Sequence, residues 1–218
     1  MKSVTREKPM ECRGEDTRCK IVQEYELHPI AHVQLLEGQS KKSCTGDTLT
    51  NAYYCFSYKA RIISGDKDKD EGTLLCGEHA AEHFLQLINH AKLPLFNPLR
   101  TQGNGGGTGT GGTSQGPKIK WDDTAKQLHD AINLLIVCWS VPPRFALGDI
   151  KRNLEKFSTS TPFPSKVKAV NTIIGYDSKK RTLAQMVSEL AQSNSLKTYD
   201  FKLLDAILAH EGISSNFT

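Results

Sequence analysis

Leu75-Cys76-Gly77-Glu78-His79 stands where a strand-like pattern gives way to a helical one. Just before it, Thr73-Leu74-Leu75 reads as a short strand. Just after it, Ala80, Phe84, Leu87 and Ile88 recur at i, i+4, i+7 and i+8, one face of a helix. Thiolate and imidazole are the ligands that a tetrahedral structural metal prefers. Cys76 and His79, at i and i+3, share a face at the helix start. Cys55 lies upstream in a strand-like run, and Cys44 lies eleven positions before it. The expected ligand set is therefore Cys44, Cys55, Cys76 and His79 around one zinc ion.

The surrounding residues read as a hairpin. Ala52 to Ser64 is rich in aromatic and β-branched residues, Gly65 to Gly72 is a polar turn, and Thr73 to Leu75 returns. The acidic residues of that turn lack the spacing of an EF-hand calcium loop. Further upstream, Ile21, Tyr25 and Leu27 share a parity that suits a half-buried strand. Cys12, Cys19, His28 and His32 supply a possible second metal quartet, although their gaps differ from those of a two-Cys, two-His finger. Downstream, the helix is expected to stop near Lys92, and Leu93 to Leu99 to pack back on this module.

In one local feature, the hairpin leading into Leu-Cys-Gly-Glu-His, the chain resembles treble-clef and zinc-ribbon modules. That resemblance implies a small metal-held scaffold. A different reading comes from His79-Ala80-Ala81-Glu82-His83, which is the H-x-x-E-H pattern of the inverted zinc peptidases. There Glu82 would serve as general base beside a metal held by His79 and His83.

Gln102 to Gly116 is almost entirely Gly, Thr, Ser, Gln and Asn. Such a tract cannot bury apolar surface and is expected to be a flexible tether. Its GxGxxG match, Gly107 to Gly112, has no strand before it and Pro117 shortly after, so a phosphate loop is not expected. Beyond it the period is helical. Leu128, Ile132, Leu135, Ile136 and Trp139 form one stripe; Ile150, Leu154 and Phe157 a second; Val167, Val170 and Ile174 a third, with Gly175 as a C-cap. Thr182 to Gln185 reads as a capping box, and Thr198 as the cap of a last helix carrying Phe201, Leu204 and Leu208. His129, Cys138 and His210 form no evident nucleophilic dyad.

Composition narrows the functional classes. Of 218 residues, 38% are hydrophobic and 24% charged, the balance of an ordinary water-soluble chain. No apolar run approaches the roughly 20 residues of a bilayer span, and Met1 to Lys8 leads into no signal segment, so a cytoplasmic protein is expected. Five of the six cysteines precede residue 77, and in such a compartment they argue for metal or free thiols rather than disulfides. Residues 1–100 hold 14 basic and 14 acidic residues; residues 101–218 hold 14 and 10. The net charge of +4 is thus C-terminal, and no interleaving of aromatic with basic residues stands out there.

The sequence therefore predicts an α+β chain: a zinc-stabilised hairpin-plus-helix domain over 1–100, a linker over 101–117 and a small helical bundle over 118–218. The expected function is that of a non-catalytic zinc-binding adaptor or regulator, with nucleic acid or another protein as partner. No membrane association and no small-molecule substrate are indicated. The alternative is a small zinc-dependent hydrolase built on His79, Glu82 and His83.

Overall fold

A computed structural model describes residues 10–61, 71–100, 120–139 and 146–218. The expected linker and most of the Gly65–Gly72 turn lie outside the described residues. The protein is mixed α+β and divides into two compact units, Met1–Leu93 and Pro94–Thr218.

The first unit opens with helix α1 (Glu15–Glu24), then strand β1 (Tyr25–Gln34), a small hairpin of β2 (Lys41–Lys42) and β3 (Thr48–Leu49), strands β4 (Ala52–Ala60) and β5 (Glu71–Cys76), and helix α2 (Glu78–Leu87). Strands β1, β4 and β5 form an antiparallel sheet in the order β1-β4-β5. Alternation along β4 turns Tyr54, Phe56 and Tyr58 to one face, where they join Leu74, Ala80, Ala81, Phe84 and Leu85 in a buried core. The Phe56 and Phe84 rings meet at 5.6 Å between centroids.

Two elements depart from the sequence reading. Ile21, expected in a strand, lies in α1, whose inward residues are Ile21 and Arg18. Helix α2 ends at Leu87, several residues before Lys92. In β1 the pairing register shifts between Pro29 and Ala31. Proline donates no ladder hydrogen bond and is tolerated at such bulges.

The second unit holds α3 (Asp123–Trp139), α4 (Ala146–Lys156), α5 (Pro164–Ile174), α6 (Leu183–Ala191) and α7 (Lys202–His210). Seven consecutive residues of α3, Ala131 to Val137, are buried, so the second half of this helix is enclosed by its neighbours, while Asp123 and Lys126 in its first half face solvent. Among the described residues no helix is long and apolar enough to cross a membrane.

Of the segment expected on the first module, Leu93 lies against its core, whereas Pro94 to Arg100 belongs to the second unit. Leu99 bridges to Leu196, the Arg100 N–H donates to Ser195 O at 2.8 Å, and the Lys197 N–H donates to Pro98 O at 2.8 Å. Thr182 forms the expected capping box with Gln185. The next two donors of α6 are met from the C-terminal tail: Leu183 N–H donates to Asn216 O and Ala184 N–H to Phe217 O, while the Phe217 ring is fully buried. Gly175 is the C-cap of α5, as the sequence suggests, in a right-handed conformation, whereas the N-cap of α7 is Phe201, not Thr198.

Gly72 sits opposite Tyr58, and a Cβ there would lie 2.5 Å from the Tyr58 hydroxyl oxygen. Gly72→Ala is expected to destabilise the sheet by about 2 kcal/mol, the overpacking range, measured by urea unfolding. A cost below about 0.5 kcal/mol would show that the ring moves aside freely.

Candidate functional site

The described residues offer two sites, one in each unit. In the first, three cysteines converge at the edge of the core. Cys12 is joined to Cys44 by a disulfide with Cα atoms 5.2 Å apart. The Cys12 N–H donates to Cys44 O at 2.9 Å, and the Cys44 N–H donates to Leu75 O at 2.7 Å, which brings both beside Cys76. All three belong to the core cluster beneath α2. Burial pushes the Cys76 thiol up to about 12, with the nearby Arg18 guanidinium pulling the other way.

This arrangement corrects the expected cysteine chemistry. Cys44 is disulfide-bonded, where metal or free thiols were expected. Cys55 pairs with Leu75, whereas Cys76 pairs with Tyr54 on the next position, so alternation puts Cys55 and Cys76 on opposite faces of the sheet. His79 is exposed on the first turn of α2. The second quartet does not gather either. The β1 bulge pairs His28 with Ser57 but His32 with Tyr54, which sends the two rings to opposite faces. His32 stacks on Tyr54 at 3.9 Å, and its burial lowers its pKa. Cys19 is half-buried on α1 and unbonded. Among the described residues, as placed, no three His, Cys, Asp or Glu side chains form a ready metal cage.

The H-x-x-E-H residues are engaged separately. His83 Nδ1 accepts a 2.8 Å hydrogen bond from Arg18 Nε, and Glu82 forms an ion pair with Lys92. Arg18 is 4% exposed; its Nη1 donates to Cys12 O at 3.2 Å.

The site in the second unit is a surface. Between Lys151 and Arg181 stand eight basic residues (Lys151, Arg152, Lys156, Lys166, Lys168, Lys179, Lys180, Arg181) against two acidic ones (Glu155, Asp177), a local excess of 8 − 2 = +6. The rest of the chain therefore sums to −2. Three large aromatic side chains project from this same segment: Phe157 is 51% exposed, Phe163 71% and Tyr176 75%. Lys156 Nζ lies 5.4 Å from the Phe157 ring centroid and Lys166 Nζ 5.6 Å from that of Phe163. Aromatic and basic side chains do interleave here, which the sequence reading missed. The position of Phe163 before Pro164, and of Tyr176 after Gly175, was the available signal, since both fall where a helix starts or stops.

Asp177 builds the turn that presents Tyr176, Lys179 and Lys180. Its buried carboxylate accepts hydrogen bonds from Arg181 Nε and Nη2 at 3.1 and 2.9 Å, from Trp139 Nε1 at 3.0 Å, and from the Lys179 and Arg181 N–H groups at 3.0 and 3.1 Å. Lys180 is held at φ +57°, a left-handed conformation. Within α3 and α4, His129 and Lys151 both bond Glu155, and Asn133 bonds His129, so these groups satisfy one another between the helices. Cys138 is pushed up to about 12 by burial, which leaves its thiol unreactive.

The Asp177 carboxyl is held well below its ordinary value, chiefly by the Arg181 hydrogen bonds. A depressed folded pKa adds stability that is fully present above the unfolded value of about 3.9 and is lost as pH falls from there through the folded value. Asp177→Asn is expected to cost about 3 kcal/mol, as for one partner removed from a buried pair. It is also expected to flatten the acid dependence below about pH 4. Fluorescence of Trp121 and Trp139, both in the second unit, reports the transition. Unchanged acid dependence in the variant would contradict this assignment.

No curated protein and no solved structure matches the chain. A family model described as "Uncharacterised conserved protein UCP028583" matches residues 10–214, and the chain belongs to that family.

Proposed function

We propose that the protein is a non-catalytic adaptor that binds single-stranded nucleic acid through the second unit. The observation that carries this reading is the pairing of exposed Phe157, Phe163 and Tyr176 with a segment of net charge +6. Exposed rings offer stacking planes to any base, and lysines neutralise the phosphates between them. Phe163 and Tyr176 flank the eleven-residue α5. At 1.5 Å per residue the helix between them is roughly 17 Å long, so a strand running along it meets one ring at each end. Lys156, Lys179 and Lys180 are exposed, and no described carboxylate pairs with them.

The first unit then serves as a scaffold of the treble-clef or zinc-ribbon kind. Its short β2–β3 hairpin with Cys44 in the turn, and α2 starting directly after Cys76, support that description. The hydrolase alternative draws less support. Its base Glu82 is paired with Lys92, and its ligand His83 is occupied by Arg18.

Binding of the full chain to a labelled mixed-sequence single-stranded oligonucleotide at low salt, followed by fluorescence anisotropy, tests the proposal. Phe163→Ala and Tyr176→Ala are each expected to weaken binding by about tenfold, within the 1–3 kcal/mol of a base–aromatic stack, without changing thermal stability. Lys179→Ala and Lys180→Ala should each lower the salt dependence by about one counterion. Absence of saturable binding, or affinity indifferent to both aromatic changes, refutes it.

A further inference from the structure

Arg18 presents an electrostatic problem. Arg18, whose guanidinium is permanently cationic, is only 4% exposed. Its bonded partners are the neutral His83 Nδ1 acceptor and the Cys12 carbonyl. No carboxylate pairs with it among the described residues. Burying an uncompensated charge costs several kcal/mol, so such groups are normally matched by an anion. The Cys12–Cys44 disulfide beside it supplies none.

The backbone around the two bonded cysteines is alike in one respect. Cys12-Arg13-Gly14 and Cys44-Thr45-Gly46 each place a glycine two residues after the cysteine, at φ +89° and +86°. The N–H groups that follow Cys44 are taken up inside its turn, Thr45 N–H by Ser43 Oγ at 3.1 Å and Gly46 N–H by Ser43 O at 2.9 Å. Cys76 is followed by Gly77, where a Cβ would approach Leu49 to 3.1 Å, so the β2–β3 hairpin packs tightly on the start of α2.

We propose that, when the disulfide is reduced, Cys12, Cys44 and Cys76 bind one zinc ion, with His79 at the start of α2 completing the tetrahedron. Two equivalents of a monothiol, or one of a dithiol, reduce the Cys12–Cys44 bond to two thiols and are themselves oxidised to a disulfide. Zn²⁺ then displaces three thiol protons. Three thiolates, one neutral imidazole and Zn²⁺ sum to −1, the charge that Arg18 lacks. The site differs from the one read in the sequence by having Cys12 in place of Cys55, which faces the other side of the sheet. It does not depend on nucleic-acid binding by the second unit.

The full chain, purified under a phosphine reductant with zinc present and then gel-filtered, should carry one zinc per chain by elemental analysis. Cys55→Ser should keep that zinc, and Cys76→Ser should lose it. Because Cys76→Ser could also prevent folding, the reduced wild-type chain is titrated with Co²⁺. Tetrahedral visible absorption should appear, with a sulfur-to-cobalt charge-transfer band of the intensity of three thiolates. Arg18→Met should lower zinc affinity by at least tenfold in competition with a chromophoric chelator. Reduced wild-type chain that takes up neither metal, zinc retained by Cys76→Ser, zinc lost from Cys55→Ser, or affinity unmoved by Arg18→Met overturns the proposal.

Discussion

The hydrogen bond from the Cys44 N–H to Leu75 O, together with the Cys12–Cys44 bond, closes the first unit. Cys12 precedes α1, Cys44 lies in the small hairpin, and Leu75 is the last residue but one of the edge strand. Three segments far apart in the chain are thereby held at one point. A unit of this size buries a smaller share of its surface than a large domain does, so covalent or metal closure carries more of its stability. The core beneath α2 then needs only one face of a three-stranded sheet, with Phe56 and Phe84 at its centre.

The sequence and the structure agree most closely where a period is long and unambiguous. The stripe from Leu128 to Trp139 and the Thr182 capping box mark α3 and α6 because apolar spacing and cap chemistry point the same way. Helix α1 carries no such signal. Glu-Asp-Thr-Arg-Cys-Lys-Ile-Val-Gln-Glu is polar throughout and buries an arginine, so its helical state comes from tertiary packing. One extra residue at the β1 bulge inverts the facing of everything beyond it, and nothing but Pro29 hints at where it falls.

The candidate sites were legible in part. The weight placed on Cys76 came from its position between strand and helix, and the structure keeps it there. The parity of β4 already argued against Cys55, since Tyr54, Phe56 and Tyr58 claim the core face. Cys12 was harder to find, because its partner is 32 residues away and spacing rules of metal knuckles are local. The +6 of the basic segment is diluted in the C-terminal half, where 14 basic and 10 acidic residues net only +4. Exposure of Phe157, Phe163 and Tyr176 is a property of the fold, since an aromatic beside a helix end packs inward as readily as it projects.

The C-terminal tail bears on how the protein is made. Asn216 and Phe217 satisfy the first donors of α6 and fill a place beside Phe201, with ring centroids 6.1 Å apart. On a ribosome these residues emerge after every helix of the bundle has been synthesised. The second unit cannot lock its packing before Phe217 has emerged, and the buried half of α3 must wait for it. The first unit, whose last core residues lie near Leu93, has all its parts outside the exit tunnel long before then.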